Sequence, residues 1–352
     1  MTLQDTTDRN NELLTPHDTR YLFVLPFSTD PVLARRFLAR DSQIVGNIRF
    51  GKLLETLDKV AENTALAYIG RFYPDARVVT AAVDNIILRN PANTQHDLVF
   101  SSQINHVGKS SMEVGIRIEC LGSGSGHLAT CYFTMVARST DCGEARSLSL
   151  PPLRYEQEVD LKRFNKAELR RHAYREGLAK AEEMPSLEEY LFLKKLHKEQ
   201  EVEGFDGLRA GSLVLESTCR AYPEQENVPK TIFGGYLIRK AYELAALAAE
   251  KVAPDRPVPC QVNCINFNQP VLLGDQLKFT ARVVYTGRTT IAVQSDIERF
   301  SRTDGDKALS NSCLFMFRNV DSDMNPQPVP FIYPVTYAED ARFLNAYRQK
   351  VD

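Results

Sequence analysis

The sequence lacks the features that mark membrane, secreted and nucleic-acid-binding proteins. No uninterrupted apolar run reaches the roughly 18 residues that a transmembrane helix needs, so we expect no membrane span. The formal net charge is −2, which gives no reason to expect nucleic acid as a partner. The N-terminal segment has neither the apolar core of a signal peptide nor the arginine-rich, acid-poor composition of a transit peptide. These features predict a cytoplasmic protein.

The usual patterns of a metal, phosphate or nucleophile site are missing as well. The seven cysteines form no CxxC pair and the six histidines show no HExxH or HxxxH spacing, so we expect no metal. The stretch LGSGSGH (121–127) resembles a phosphate-binding loop, but no GKS or GKT ending follows it. Its serines also miss the central position of a nucleophile elbow. We therefore predict no cofactor and no Ser-His-Asp triad.

The sequence does contain a long-range repeat. Three segments of the first half recur in the second half: 98–119 in 277–298, 83–91 in 262–270, and 48–65 in 232–249. A single repetition with so long a period indicates a duplicated domain rather than a solenoid.

Both copies have the same order of elements. A β-branched strand comes first, then one long helix (about 49–70 and 234–252), then several strands. The alternating segment after the VGKSS turn is typical of a half-buried strand, and we expect it to form a hairpin with the strand before it. This order favours an α+β fold of two tandem hotdog domains, each a long helix wrapped by a curved antiparallel sheet.

The composition predicts four segments along the chain. The region between the copies is rich in Lys and Glu and is typical of a solvated helical connector. The predicted limits are 18–150 for the first hotdog domain, 151–205 for the charged helical linker, 206–335 for the second hotdog domain, and 336–352 for a C-terminal tail.

Two glycines, Gly234 and Gly235, stand at the head of the second long helix. Each costs about 0.5–1 kcal/mol relative to alanine inside a helix. Two explanations are compatible: the helix packs too closely for side chains, or a ligand approaches the backbone amides. The start of a helix presents unpaired N–H groups and a partial positive charge, which suits a developing negative charge on a substrate.

Several motifs together resemble a known family. The segments IRFGKLLETLDKVA, VGKSSMEV, PEQENVPKTIFGGYLIRKAYELA and FIYPVTYAED resemble the acyl-coenzyme A thioesterase 9 family of double-hotdog hydrolases, over about residues 20–345. The resemblance implies hydrolysis of acyl-CoA to free fatty acid and coenzyme A. It also implies a homo-oligomer, a trimer of double hotdogs. Family members are often mitochondrial, which is the alternative location.

The resemblance also assigns a catalytic set. In this pattern an Asn or Gln stands seven residues before the first glycine position, and a helix acid from the opposite hotdog completes the site. Asn227, Gly234 and Gly235 match in the second copy, and Asp58 matches in the first. Asp58 has leucine and alanine neighbours one turn away, so we expect desolvation to raise the pKa of its carboxyl group.

The reciprocal half of the pattern is incomplete. The first copy has Gln43 at the amide position but Phe50 and Gly51 in place of the two glycines. The second copy has Tyr242 where the acid belongs, with Glu243 one residue beyond. We therefore expect one working site per chain and a degenerate second site.

Two hairpin turns are candidates for binding coenzyme A phosphates. Each places one cation and two hydroxyls at a turn, and related turns in hotdog thioesterases lie near the coenzyme. They consist of Lys109, Ser110 and Ser111 in the first copy and Arg288, Thr289 and Thr290 in the second. An exposed hairpin turn without a ligand is as good an interpretation for either one taken alone.

Two other functions remain open. A hotdog hydratase needs a histidine near the helix acid, and none of the six histidines lies on either long helix. A non-catalytic acyl-CoA sensor would bind ligand without hydrolysing it, but the presence of both Asp58 and Asn227 favours an enzyme.

Overall fold

The structure is a computed structural model. The residues that it describes are 13–40, 47–122, 126–139, 146–181, 184–228, 230–263, 265–301 and 305–349. The elements up to residue 138 are β1 Tyr21–Leu25, α1 Pro31–Arg36, α2 Phe50–Ile69, β2 Arg77–Val83, β3 Ile86–Leu88, β4 Leu98–Val107, β5 Ser111–Cys120 and β6 His127–Arg138.

Four helices and ten strands follow in the described residues, and the last of these elements is a helix near the C-terminus. They are α3 Glu158–Ala181, α4 Leu187–Gln200, β7 Leu208–Arg209, β8 Val214–Arg220, β9 Glu226–Val228, β10 Thr231–Ile232, α5 Gly234–Glu250, β11 Arg256–Val262, β12 Ile265–Phe267, β13 Gln276–Thr286, β14 Thr290–Phe300, β15 Lys307–Val320, β16 Ile332–Tyr333 and α6 Tyr337–Arg348.

Helix α2 is amphipathic and buries one face completely. Leu53, Leu57, Ala61 and Ala65 follow one another at four-residue spacing and are each 0% exposed. Full burial of each leucine contributes about 1.5–3 kcal/mol of transfer free energy. The helix ends at Gly70, where its last carbonyls are capped by backbone amides.

Helix α5 buries a face of small residues. Ala241, Ala245, Ala248 and Ala249 are 0% exposed. Small side chains let a helix approach its neighbours closely, and α5 packs against α2 and against strands β13 and β14. The observed bounds of α2 and α5 confirm the two long helices predicted from the sequence.

One large antiparallel sheet surrounds the two helices. Its main strand order is β1-β4-β5-β6-β2-β12-β15-β14-β13-β8. The halves join where β2 pairs with β12 and where β3 pairs with β11, both antiparallel. Strands β4 and β5 form the predicted hairpin, as do β13 and β14. The prediction of an α+β fold with two tandem hotdog domains is confirmed.

The duplication extends to irregularities of the backbone. Strand β2 has a register shift between Thr80 and Ala82, and β11 has one between Pro259 and Gln261. Strands β4 and β13 share a second shift at equivalent positions. Bulges re-aim the side chains beside them, so the two copies present equivalent residues to equivalent places. Thr80 of the first copy corresponds to Pro259 of the second.

Three helices outside the sheet cover its outer faces. Helix α3 lies on β4, and α6 lies on β13. Phe343 of α6 packs against Tyr285 of β13, with ring centroids 5.2 Å apart, and Leu193 and Leu196 of α4 join the same buried cluster. The region between the copies contains α3 and α4, and each of these helices has a residue that is buried against the sheet, so the region is less solvated than expected. The predicted tail contains α6, and the predicted domain limits remain predictions.

None of the helices within the ranges above is long and apolar enough to cross a membrane.

Candidate active site

Asp58 is a buried acid in the middle of α2. Its side chain is 0% exposed, and Leu54, Leu57 and Ala61 of the same helix are buried around it. Burial disfavours the charged carboxylate and raises the pKa of Asp58 to about 7. The Thr80 hydroxyl donates a 2.6 Å hydrogen bond to Oδ1, which stabilises the charged form and partly offsets the rise.

The second carboxylate oxygen of Asp58 is available for chemistry. Oδ2 is buried and has no hydrogen-bond partner of ordinary geometry among the described residues. The backbone amide of Gly235 is close enough to lower the pKa of Asp58 slightly. A carboxylate with an unsatisfied oxygen and a pKa near neutrality can accept a proton from water at pH 7.

Helix α5 of the second copy begins directly against this carboxylate. A Cβ atom on Gly234 would lie 3.3 Å from Asp58 Oδ2 and 3.0 Å from the ring of Phe267. One on Gly235 would lie 3.0 Å from the Asp58 Cβ and 2.7 Å from the ring of Phe233. Any side chain would therefore push the helix start away from Asp58. The two glycines allow a close approach of backbone to carboxylate.

The same helix start supplies unpaired donors. The N-cap residue Phe233 donates its own amide to Gln225, and the first helical bond of α5 runs from the Leu237 amide to the Phe233 carbonyl at 3.4 Å. The amide of Gly234 has no hydrogen bond to any residue in the described part of the chain. It therefore remains free to bind an oxygen that carries partial negative charge.

Asn227 lies in β9, upstream of α5. This strand approaches β2, the strand that carries Thr80, and the Asn227 side chain is half-buried. The structure thus brings Asp58 together with Gly234 and Gly235 and places Asn227 on a strand beside the same region. Residues from both copies make up this arrangement.

The equivalent place in the other half is filled by aromatic rings. Tyr242 takes the position of Asp58 and is 7% exposed, and Phe50 takes the position of Gly234. Their ring centroids lie 5.1 Å apart, and Tyr242 also packs on Phe315 and Phe317 at 5.4 and 5.7 Å. Gln43 lies outside the described residues.

The carboxylate of Glu243 is paired with an arginine. Its carboxylate accepts hydrogen bonds from Arg49 Nε at 2.9 Å and Arg49 Nη2 at 2.6 Å. Its side chain is 28% exposed, in contrast to the fully buried Asp58. The carboxylate of this half is therefore paired with an arginine and partly exposed to solvent, whereas Asp58 is fully buried and has one oxygen without a partner among the described residues.

Comparison with known proteins places the chain in a family. The model of the thioesterase superfamily matches residues 47–126 and 229–305. Acyl-coenzyme A thioesterase 9, mitochondrial, of Bos taurus is 30% identical over 344 residues, which cover 92% of this chain and 75% of the bovine protein. This chain belongs to the acyl-coenzyme A thioesterase 9 family.

A second relative matches a similar share of this chain. Acyl-coenzyme A thioesterase 10, mitochondrial, of Mus musculus is 27% identical over 361 residues, 97% of this chain and 80% of the mouse protein. Among solved structures, an acyl-CoA hydrolase from Bacillus cereus covers 41% of this chain and 88% of its own, with 24% identity and a TM-score of 0.40. A putative oleoyl thioesterase from Lactobacillus plantarum covers 85% of this chain and 96% of its own, with 8% identity and a TM-score of 0.49.

Both candidate phosphate turns are surface hairpins in this member of the family. Lys109 and Arg288 are exposed at the β4–β5 and β13–β14 turns. Ser111 pairs with Val136, which in turn pairs with Val79, next to Thr80. With strands about 4.8 Å apart, the first turn therefore lies about 10 Å across the sheet from the Asp58 side.

The second turn belongs to the other half of the molecule. Thr290 pairs with Arg318, which pairs with Val258 of β11, next to Pro259. The turns thus occupy equivalent places, one beside the Asp58 half and one beside the aromatic half. The structure does not bring the two turns together.

Thr80 is the site residue that sequence reasoning missed. A threonine in an alternating strand carries no mark of chemistry, and the bulge that turns it toward Asp58 is not visible in the sequence. One usable signal existed: the repeat places Pro259, which cannot donate a hydrogen bond from either side chain or amide, at the equivalent position. No group of three metal-ligating side chains occurs in the ranges that the structure describes.

Proposed function

We propose that the chain hydrolyses acyl-CoA to free fatty acid and coenzyme A at one site formed by Asp58, Asn227, Gly234 and Gly235. The observation that carries this proposal is the position of Asp58: a fully buried carboxylate with a pKa of about 7 that faces the glycine-rich start of a helix from the other copy. This combination supplies a base near neutrality and donors for negative charge in one place.

The reaction follows from this geometry. Asp58 Oδ2 takes a proton from water as the water oxygen attacks the thioester carbonyl carbon. The carbonyl oxygen gains negative charge, which the free amide of Gly234 and the positive end of α5 stabilise. The carbon–sulfur bond then breaks, and the departing thiolate takes the proton back from Asp58. The products are a carboxylic acid and the thiol of coenzyme A, and Asp58 is returned to its charged form.

Asn227 and Thr80 assist without exchanging a proton. The amide of Asn227 can accept from the water or donate to the thioester oxygen, which aligns the attack. Thr80 holds Oδ1 through its 2.6 Å bond, so the remaining oxygen keeps one orientation. This division leaves Oδ2 as the proton acceptor.

A thiol-release assay tests the function directly. Purified protein is mixed with acyl-CoAs of increasing chain length, and free thiol is measured. We expect continuous release of coenzyme A for at least one length class. Binding of acyl-CoA with no release would identify a non-catalytic sensor, and appearance of a hydrated acyl-CoA from an unsaturated one would identify a hydratase.

We also propose that the hairpin turns contact the phosphates of coenzyme A, through Lys109, Ser110 and Ser111 or through Arg288, Thr289 and Thr290. Both cations are exposed and have no ion pair with another described residue, which supports a role in binding a phosphate. The turn that carries Lys109 lies on the half of the sheet that is next to Asp58.

Assembly beyond one chain is a further part of the proposal, most simply as a trimer of double hotdogs. The sheet ends in two open edges, β1 and β8, and Leu22 on β1 is 64% exposed. Open edges and exposed apolar residues favour association. Light scattering should give about three times the 39.7 kDa of the single chain, and a constant monomer mass at micromolar concentration would contradict it.

The location remains a prediction of the cytoplasm, with the mitochondrion as the alternative because the bovine and mouse relatives carry that word in their names. Immunofluorescence with compartment markers distinguishes the two.

A further inference from the structure

The reactive oxygen of Asp58 is closed off from solvent, although it lies just beneath the surface. Asp58 is 0% exposed and its Oδ2 is buried. Gly234, whose Cβ position lies 3.3 Å from Oδ2, is partly exposed, as are the neighbouring Phe233 and Phe267. Water or a thioester therefore cannot reach Oδ2 from this side unless a group above it moves.

The ring of Phe267 lies against the place where a substrate must bind. Its Cε1 and Cζ atoms are 3.0 Å from the point where a Cβ on Gly234 would stand, and Asp58 Oδ2 is 3.3 Å from the same point. Carbon atoms in ordinary contact are about 3.5–4.0 Å apart, so not even a methyl group fits between the ring and Gly234. A thioester whose oxygen binds the Gly234 amide while its carbonyl carbon faces Oδ2 needs this same space.

The ring can move while its strand stays in place. Phe267 pairs with Asn311 of β15, and the preceding Asn266 pairs with Ala82 of β2, so the backbone of β12 is held on both sides. The two atoms next to Gly234 are at the far end of the side chain, which is packed against the core but only partly buried. Rotation about χ1 to another staggered rotamer carries the ring away without moving the strand.

The first copy shows that the fold leaves space at this position when the ring is absent. The repeat places Leu88 at the position of Phe267 and Phe50 at the position of Gly234. Both line a cavity of about 160 Å³, together with Pro259, the counterpart of Thr80. In the second copy, the ring of Phe267 occupies a place that a leucine leaves partly open.

We propose that Phe267 is a positioning residue of the thioester site: its ring covers Asp58 Oδ2 in the free protein and turns aside when a thioester binds. This inference rests on the function proposed above. A ring over the carboxylate keeps water away from it, so the ring contributes to the burial that raises the pKa of Asp58.

The charged groups around Asp58 have a smaller effect on its pKa than burial. Glu62 raises the pKa and Lys59 lowers it, and these two side chains of α2 pair with each other at 2.6 Å. The Thr80 hydroxyl of β2 and the Gly235 amide of α5 both lower it. Removal of the ring should therefore act on the pKa mainly through hydration of the carboxylate.

Carbodiimide labelling of carboxyl groups tests the cover without any turnover. The full chain is treated at pH 5 with a water-soluble carbodiimide and glycinamide, and peptide mass spectrometry measures the label on Asp58. Glu158, whose side chain is 81% exposed, is the internal reference. We expect Phe267→Ala to label Asp58 roughly 10-fold faster than the wild type does, because the wild type reacts only after the ring opens.

Two further variants make this comparison specific. Phe267→Leu introduces the residue of the first copy and keeps more of the packing, so it should increase the labelling in the same direction but less. Phe72→Ala is the matched control, since Phe72 is another partly buried phenylalanine of the same core, beyond the far end of α2. Its labelling of Asp58 should equal that of the wild type.

A pH profile provides the second measurement. The midpoint of kcat/KM against pH should lie about one unit lower in Phe267→Ala than in the wild type, because water then reaches the carboxylate. A general loosening of the fold would lower Tm without moving this midpoint, and Phe72→Ala shows the size of that effect.

Three results would overturn the proposal: labelling of Asp58 as fast as that of Glu158 in the wild type, equal labelling in the wild type and both Phe267 variants, or an unchanged midpoint in Phe267→Ala. Labelling needs no turnover, so absence of thiol release in the wild type would contradict the proposed hydrolysis and leave the cover over Asp58 to be judged by the label.

Discussion

At the scale of single residues, Asp58 is a carboxylate that the fold holds in an unfavourable environment. Its ordinary pKa is 3.8, and burial raises it to about 7 because the charged form loses its hydration. Thr80 restores part of that stabilisation by donating to Oδ1. The balance of these two effects sets the pH range in which the base is charged.

The first prediction concerns this balance. We expect kcat/KM to fall as pH decreases through about 7, where Asp58 becomes protonated. Thr80→Val keeps the side-chain shape but removes the bond that stabilises the charged form, so the midpoint should move to higher pH. Initial rates between pH 5 and pH 9 give both midpoints. A midpoint near 4 in the wild type, or a downward shift in the variant, would contradict this assignment.

The second prediction concerns stability. The folded protein holds a proton on Asp58 up to about pH 7, whereas the unfolded chain loses it near 3.8, so the free energy of unfolding should fall as pH rises between these values. Asp58→Asn removes the buried charge. Its Tm should therefore exceed that of the wild type by more at pH 8 than at pH 5, measured by differential scanning calorimetry. A Tm difference that did not change with pH would show that Asp58 is not buried in its charged form.

At the scale of secondary-structure elements, a glycine in the first turn of α5 can be compared with the glycine in the first turn of α2. A Cβ on Gly235 would meet Asp58 and the ring of Phe233, whereas the three atoms nearest a Cβ on Gly51 would be side-chain atoms of Arg239 and Glu243 and the Arg239 carbonyl oxygen, at 3.2 to 3.3 Å. Gly235 and Gly51 both lie in the first turn of a long helix. Of the two, only Gly235 is next to the proposed base, Asp58.

The third prediction follows from this difference. Gly235→Ala should lower kcat roughly 10- to 100-fold, because a shift of the helix start misplaces the donors relative to Asp58. Gly51→Ala should leave kcat within about threefold, since alanine favours a helix and the atoms nearest Gly51 belong to Arg239 and Glu243, which lie outside the proposed site. Steady-state kinetics of the two variants, with circular dichroism to verify folding, make the comparison. Equal losses would mean that helix packing alone explains the glycines.

The fourth prediction concerns the hairpin turns. Lys109→Ala or Arg288→Ala should raise KM for acyl-CoA more than it lowers kcat, because contact with a remote phosphate stabilises ground state and transition state alike. The measurement is a Michaelis curve for each variant. If KM is unchanged in both, the phosphates are bound elsewhere.

The elements differ in how far the sequence predicts them. The helices and the β4–β5 hairpin follow from periodicity and turn residues, which are local properties. Residues 336–352 are predicted only as a tail, although Thr336 and Glu339 form the capping box at which helix α6 starts. The contact between Thr80 and Asp58 depends on a bulge and on the curvature of the sheet, and neither has a local signal.

At the scale of the whole molecule, duplication has allowed the two halves to diverge. Around Asp58 the halves combine an acid, a threonine and two glycines. At the equivalent place they present Tyr242, Pro259 and Phe50, and the rings of Tyr242 and Phe50 lie 5.1 Å apart. In the function proposed above, the place around Asp58 is the working site, and the aromatic place contributes to the packing of the core.

The most direct test of a single working site is the kcat of Asp58→Asn beside that of Glu243→Gln, each assayed by thiol release. Both changes keep the side-chain shape and remove one negative charge. Loss of the base should lower kcat by about 10²–10⁴-fold in Asp58→Asn. Glu243 is bound to Arg49 and distant from the proposed chemistry, so Glu243→Gln should change kcat by no more than about twofold. Full activity in Asp58→Asn together with loss of activity in Glu243→Gln would contradict the account.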